Sequence, residues 1–221
     1  MDQCRQTSMI DRRQFALFAS SLALVAACQR GGGASKAAVD GDMALGPPDA
    51  KVTLIEYASL ACHACAALHK DVWPQIKANY VDTGKIRFIF REFPAGEPTI
   101  ARAQHMLARC MSSTPDQYFK AVEMFFDAQD AVFQSAQTGQ LRQKLLELAK
   151  TGGLSDEQFT ACIADEAETK RLQKVAEEGD KAFKITGTPT LILNGEVLEN
   201  TVANPYTYER LSKLIDAKLT A

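Results

Sequence analysis

Histidines and cysteines are few in this sequence, and no run of basic residues is present. The 221 residues hold 25 Lys and Arg against 27 Asp and Glu, and the basic residues are scattered rather than clustered. Because no basic stripe is present, no nucleic-acid partner is expected. Six cysteines are too few for a small protein built from disulfides. No internal repeat is present, so the length suits one domain, or one domain with an insertion.

The apolar run near the N-terminus is too short to cross a bilayer comfortably. It extends over the 13 residues from Phe15 to Ala27 and follows Arg12 and Arg13. A membrane-spanning helix needs about 20 apolar residues, whereas a basic segment followed by a shorter apolar run is typical of a secretory signal. Residues 1–27 are therefore predicted to be a signal peptide. A buried amphipathic helix is the alternative, although the run has no polar face.

The end of this run, Val25-Ala26-Ala27-Cys28, resembles a bacterial lipobox. In the favoured interpretation Cys28 becomes the lipidated first residue of the mature protein, and the Gly-rich residues 28–44 form a flexible tether. In the alternative, cleavage near the same small residues releases a soluble product. Arg12-Arg13-Gln14-Phe15 also partly matches a twin-arginine signal. Both interpretations predict the periplasm, with or without a lipid anchor, where disulfides persist.

The apolar pattern of the remaining chain predicts an α/β domain interrupted by helices. Two short segments rich in β-branched and aromatic residues are predicted strands, and the helical segment between them contains Pro74, which should kink it. Asn194-Gly195 lies between two apolar runs, which indicates a hairpin. The predicted strands are 51–57, 85–93, 189–193 and 196–198; residues 97–182 hold four or five helices, and 206–219 form the last helix.

Cys62-His63-Ala64-Cys65 lies where the first strand passes into a helix. At the helix N-terminus, free N–H groups and the positive end of the helix dipole would lower the pKa of the Cys62 thiol. Cys65, one turn further on, would resolve the mixed disulfide that Cys62 forms with a substrate. His63 is expected to stabilise the Cys62 thiolate further. The alternatives are an inert pair or half of a zinc site with His69, for which no second CxxC supplies further ligands.

These motifs together resemble the DsbA-like branch of the thioredoxin superfamily. The resemblance rests on Glu56 to Cys65 and on the distant Gly187-Thr188-Pro189-Thr190, and it extends from about Val52 to the C-terminus. It implies a thioredoxin fold, residues 45–96 and 183–221, with an inserted all-helical subdomain at 97–182. It also implies a redox-active Cys62–Cys65 disulfide as the reacting group, with no other cofactor and no metal.

The resemblance assigns further residues to the site. It implies that Pro189 is cis and packs against the cysteines, which would leave the Thr188 backbone free to pair with an extended substrate; an ordinary edge-strand proline is the alternative. It also implies that Glu56 is buried and moves a proton, whereas a solvent-facing strand residue is the simpler interpretation. Arg87 and Arg91 are candidate partners for its carboxylate.

Two features leave questions open. His63-Ala64 replaces the Pro-His dipeptide of the best-known family members, so the redox potential does not carry over from them. Cys110 and Cys162 are 52 residues apart, and in an exported protein two remaining cysteines favour a bridge, as in some DsbA-like proteins. Two separate buried cysteines are the alternative.

The sequence therefore predicts a monomeric periplasmic dithiol oxidase. Its expected partners are reduced or unfolded exported proteins and a membrane quinone-linked protein, DsbB-like, that reoxidises it. A disulfide reductase or isomerase is the second hypothesis, although no segment before Val52 is long enough for the dimerisation domain of an isomerase. A peptide- or metal-binding chaperone that uses the same fold without turnover is the third.

Overall fold

The computed structural model of the protein describes residues 41–221. The predicted signal peptide, Cys28 and residues 28–40 of the predicted tether lie outside the described residues. A mixed sheet of five strands in the order β1-β3-β2-β4-β5 forms the centre of the described part. The strands are β1 Met43–Leu45, β2 Val52–Ala58, β3 Ile86–Glu92, β4 Thr190–Leu193 and β5 Glu196–Val197.

The central strand β2 carries the chain into the Cys62 motif. It runs parallel to β3 and antiparallel to β4, and all seven of its residues are buried. A strand covered on both faces needs a nearly continuous apolar sequence, which explains why its polar members, above all Glu56, stand out. On one face Phe88 and Phe90 of β3 join the main core, and on the other Ile55 and Ile89 join a smaller one.

The tether prediction is wrong at its C-terminal end. Residues 43–45 form β1, which pairs antiparallel with Phe88 to Phe90 at the edge of the sheet. The Asp42 carboxylate accepts hydrogen bonds from the Arg91 guanidinium, and both side chains are buried. A strand of three residues is too short to show a periodicity in the sequence, and it forms here because the edge of β3 offers it partners.

Nine α-helices surround the sheet within residues 41–221. The predicted kink is present: α1 ends before Val72, and α2 begins at Trp73 with Pro74 in its first turn. Six helices, rather than the expected four or five, fill residues 97–182, because α4 and α5 are separated only by Ala128, which is not a helix-breaking residue. The helices are α1 His63–Asp71, α2 Trp73–Ile76, which continues as a π-helical turn over Lys77–Val81, α3 Pro98–Cys110, α4 Pro115–Asp127, α5 Gln129–Gln137, α6 Leu141–Thr151, α7 Asp156–Ile163, α8 Glu166–Phe183 and α9 Tyr208–Thr220.

A disulfide crosses the helical insertion. Cys110 at the end of α3 is bonded to Cys162 in α7, with Cα atoms 6.3 Å apart. The bridge closes a loop of 52 residues and ties the fifth of the six inserted helices to the first. In residues 41–221, none of the helices combines the length and the apolar composition that a bilayer span requires.

Asn194 and Gly195 form the tight turn between β4 and β5. Both have positive φ, 48° and 86°, as a type I′ hairpin turn requires. The Asn194 side chain accepts a hydrogen bond from the Thr53 backbone N–H at 2.7 Å, which fixes the hairpin against β2. The hairpin therefore holds Pro189 and Thr190 beside the end of β2.

Candidate active site

Cys62 occupies the N-cap position of α1, directly after the loop that follows β2. Its backbone is extended, and its carbonyl accepts the first hydrogen bond of the helix from Ala66. Cys62 is partly exposed, and its Sγ atom lies 3.2 Å from the Thr188 carbonyl oxygen, to which the thiol donates. Cys65, one turn later, is completely buried. Both are free thiols, so the structure shows the reduced form of the pair.

The surroundings of Cys62 lower the pKa of its thiol to about 5. The largest cause is a hydrogen bond from the Cys65 thiol, which outweighs the opposing effect of burial. The Thr188 side chain and the backbone N–H groups of Cys65 and Ala64 add to it, as expected at a helix N-terminus. His63 is not among these causes, and its ring stacks on that of Phe133 with the ring centroids 5.0 Å apart. Its expected role beside the thiolate stays a prediction.

Ultraviolet titration of the reduced protein checks this assignment. We expect the thiolate absorbance at 240 nm to rise with a midpoint near pH 5, since the pKa of Cys62 is about 5. In Cys65→Ala the midpoint should move to higher pH, because the largest stabilising hydrogen bond is lost. Cys62→Ser, the control, should show no step below pH 7. A midpoint near the ordinary value of ~8.5 in the unmodified protein would contradict the geometry.

Cys65 has the opposite properties. Burial is the main cause that raises the pKa of its thiol, and the nearby Cys62 and Glu56 charges add to it. The pair is therefore asymmetric: one sulfur is accessible and readily ionised, and the other is enclosed and holds its proton. This asymmetry suits an exchange in which Cys62 meets the substrate and Cys65 resolves the intermediate.

Glu56 is buried beneath the pair, as the resemblance implies, but its partner differs from the expected one. Its Oε2 atom lies 2.9 Å from His69 Nε2, and neither Arg87 nor Arg91 pairs with it. Arg91 binds Asp42 and donates to the Tyr57 hydroxyl instead. The expectation of an arginine partner is thus wrong, because the side chains of Glu56 and Arg91 leave β2 and β3 toward different cores. His69 is four residues after Cys65, on the same helix face.

Pro189 lies beside the cysteines, and the Thr188–Pro189 peptide bond is cis. The Thr188 carbonyl faces Cys62 Sγ, so the backbone that precedes Pro189 borders the reactive sulfur. A groove of about 540 Å³ extends away from this point between α1 and the start of α9. Residues that line the groove include Ala64, Leu68, Val72, Pro189 and Tyr206. An extended chain that reached Cys62 would meet an apolar surface there.

Three side chains far apart in sequence brace the loop between β2 and α1. Ser59 Oγ donates to the Ala95 carbonyl at 2.8 Å, Gln129 Nε2 donates to the Leu60 carbonyl at 2.8 Å, and His105 Nε2 accepts from the Leu60 N–H at 3.5 Å. Burial lowers the pKa of His105 to about 4, so its ring is neutral and can accept. No local motif marks Gln129 or His105, because their contact with Leu60 arises only when the helical insertion folds onto the sheet.

Among residues 41–221, no three His, Cys, Asp or Glu side chains are arranged to hold an ion. His69, the one additional ligand that the sequence offered to Cys62 and Cys65, is bonded to Glu56.

Comparison with known proteins agrees with the geometry. A family model described as Thioredoxin matches residues 38–217. A Rickettsia prowazekii protein named for protein-disulfide oxidoreductase activity is 31% identical over 180 residues, 81% of this chain, and the chain spans 62% of that relative's length. Disulfide bond formation protein D of Bacillus subtilis is 25% identical over 182 residues, 82% of this chain and 78% of the relative.

Solved structures show the same fold. The crystal structure of Wolbachia pipientis alpha-DsbA1 superposes with a TM-score of 0.73 at 25% identity, and the match covers 86% of this chain and 96% of that one. Bacillus subtilis BdbD in its oxidised form has a TM-score of 0.68 at 21% identity, over 84% and 96% of the two chains. With its thioredoxin fold, its inserted helices and its Cys62–Cys65 pair beside a cis proline, the chain belongs to the thioredoxin family, in its DsbA-like branch.

Proposed function

We propose that this protein is a thiol:disulfide oxidoreductase that works as a dithiol oxidase on exported proteins. The observation that carries the proposal is the contrast between Cys62, partly exposed with a pKa of about 5, and the buried Cys65. A stabilised Cys62 thiolate stabilises the reduced protein, so the oxidised protein accepts electrons readily. The same contrast assigns the roles of the two sulfurs.

The proposed cycle begins with the Cys62–Cys65 disulfide. A substrate thiolate attacks Cys62 Sγ, the Cys62–Cys65 bond breaks, and Cys65 leaves as a thiolate that takes up a proton. A second substrate thiolate then attacks the substrate sulfur of the mixed disulfide, and Cys62 leaves as the stable thiolate. The substrate has lost two electrons and gained a disulfide, and the protein has been reduced. The redox-active disulfide serves as the only reacting group.

The Thr188 backbone and the groove beside Pro189 would hold the substrate. The Thr188 carbonyl lies at the reactive sulfur, and an extended segment of a reduced, unfolded protein could pair with this backbone as an added strand. Folded proteins seldom offer such a segment, which favours unfolded exported chains as substrates. A monomer suffices for this cycle, because one chain supplies both sulfurs, Pro189 and the groove.

The cellular setting follows from the N-terminal sequence. We propose that residues 1–27 direct the chain to the periplasm and that Cys28 carries a lipid that anchors it to a membrane. A membrane quinone-linked protein of the DsbB type would then return Cys62 and Cys65 to the disulfide. Cells supplied with labelled palmitate should incorporate the label into the protein but not into its Cys28→Ser variant; an unmodified protein without label would contradict lipid attachment at Cys28.

The reduction potential tests the direction of exchange. Purified protein equilibrated with glutathione buffers should show a potential near the about −120 mV of a strong oxidant. A value near the about −270 mV of thioredoxin would instead make the protein an exported reductase. Oxidation of a dithiol peptide in a single turnover separates both activities from a chaperone that only binds peptides.

A further inference from the structure

The pair of Glu56 and His69 is enclosed by aromatic rings. Both side chains are at most 3% exposed, and Nε2 lies 2.9 Å from Oε2. The His69 ring packs against Phe126 at 4.5 Å, and Trp73 and Phe90 lie within 6 Å of it. The imidazole is therefore the polar group that Glu56 contacts among these rings.

His69 also borders a second cavity, on the side of α1 that faces α4 and α5. The cavity holds about 340 Å³, and Glu56 is not among the residues that line it. Its charged or titratable lining residues are His63, His69 and Lys70 from α1, Glu123 and Asp127 from α4, and Asp130 from α5. We call it the acid-lined cavity. His69 Nδ1 is buried and has no hydrogen-bond partner within residues 41–221.

The exchange cycle moves one proton at Cys65 in each direction. When a substrate opens the disulfide, the Cys65 thiolate takes up a proton. When the protein is reoxidised, the Cys65 thiol loses that proton, its sulfur attacks Cys62 Sγ in the mixed disulfide, and the partner's thiolate leaves. Cys65 is completely buried, so neither transfer can use bulk water directly. Glu56 is a buried carboxylate whose charge acts on Cys65, so it is the group that we expect to exchange this proton.

We propose that His69 is a positioning residue that relays this proton between Glu56 and the acid-lined cavity. The proposal rests on the proposed function. When the ring takes up a proton at Nδ1, it gives its Nε2 proton to Glu56 and is left in its other tautomer. On reoxidation Glu56 returns a proton to Nε2, Nδ1 releases its proton toward the cavity, and the first tautomer is restored. The carboxylates of Glu123, Asp127 and Asp130 outnumber the ammonium group of Lys70, so the negative charge of the cavity favours proton uptake by the ring from this side. The Glu56 carboxylate favours a proton on the opposite side of the ring.

His69→Gln is the decisive variant. Its amide can donate to Glu56 from nearly the same place, but it cannot pass a proton on. We expect the resolution of a Cys62–glutathione mixed disulfide by Cys65 to slow about tenfold or more, and its pH dependence between pH 5 and 8 to flatten. The attack of the Cys62 thiolate on oxidised glutathione should change less than twofold. Imidazole in the buffer should restore most of the resolution rate to His69→Ala but not to His69→Gln.

Lys120→Gln provides the control, because Lys120 is an exposed residue of α4 that does not line the acid-lined cavity. Its resolution rate and pH profile should equal those of the unmodified protein. Resolution by His69→Gln at the unmodified rate with an unchanged profile would overturn the relay, as would an equal slowing of both steps with a lowered Tm, which is the sign of a structural role. A wild-type protein that never resolves the mixed disulfide would refute the proposed function itself, whatever His69→Gln does.

Discussion

Replacement of Cys62 by Ser is expected to reduce the oxidation of a dithiol peptide on the order of 10³-fold or more. Only the Cys62 sulfur is both accessible and readily ionised, with a pKa of about 5. Cys65 cannot replace it, because the thiol is completely buried and its pKa is raised. The peptide's loss of free thiols, followed with a thiol reagent, gives the rate.

Cys65→Ser should behave differently from Cys62→Ser. Cys62 can still form a mixed disulfide, but no second sulfur resolves it, so a covalent adduct of protein and peptide should accumulate on a non-reducing gel. The control replaces Cys110 and Cys162 together, since their bridge lies within the helical insertion and takes no part in exchange. Retained turnover in Cys62→Ser, or adducts that form through Cys65 instead, would contradict the assignment of roles.

The sequence predicted the strands best, and the reason is local. β2 and β3 are short runs of β-branched and aromatic residues, and Asn194-Gly195 supplies the hairpin with its own turn chemistry. The break at Ala128 and the strand Met43–Leu45 escaped prediction for the opposite reason. Neither carries a local signal, and each depends on neighbours that only the folded chain brings near.

The residues of the site also divide into those that a local sequence signal predicts and those that have no such signal. Cys62, Cys65 and Pro189 belong to motifs whose spacing predicts their juxtaposition, and the cis bond at Pro189 follows from the resemblance. The partner of Glu56 could have been found from the helix period, because a residue four positions after the buried Cys65 shares its inward face. The CxxCxxxH spacing by itself indicates only a possible zinc ligand at His69. The contact between Gln129 and Leu60 joins residues 69 positions apart, and no pattern in either segment indicates it.

A buried charge network holds the helical insertion against the strand that lies beside the active-site loop. Glu92 ends β3, is 1% exposed, and pairs in register with Ala58, the last residue of β2. Its carboxylate accepts hydrogen bonds from Arg109 of α3, from Tyr118 of α4 at 2.9 Å, and from Arg171 of α8 at 3.3 Å. Three inserted helices therefore converge on one carboxylate at the C-terminal end of β3.

Arg109→Leu should lower the free energy of unfolding at pH 7 by about 3 kcal/mol, because it removes the main partner of a buried charge. Arg109→Lys, which keeps the charge but loses the forked donor, should cost less. The loss in Arg109→Leu should exceed that in Arg171→Leu, since the Arg171 side chain is 24% exposed and that of Arg109 only 14%. Urea unfolding of the reduced proteins, followed by the fluorescence of the single tryptophan, gives the free energy of unfolding of the three variants and of the unmodified protein.

The pH dependence separates this charge effect from a simple loss of packing. Burial raises the pKa of Glu92, but Arg109 and Arg171 outweigh it and lower that pKa to about 2. A carboxyl with a lowered folded-state pKa adds stability that is fully present above its unfolded pKa of about 4.3. That stability is lost as the pH falls through about 2. In Arg109→Leu the folded-state pKa of Glu92 is higher, so its ionisation adds less stability. The difference in the free energy of unfolding between this variant and the unmodified protein should therefore narrow steadily from pH 5 to pH 2. A difference that stays constant over this range would assign the role of Arg109 to its packing over the Tyr118 ring rather than to the Glu92 charge.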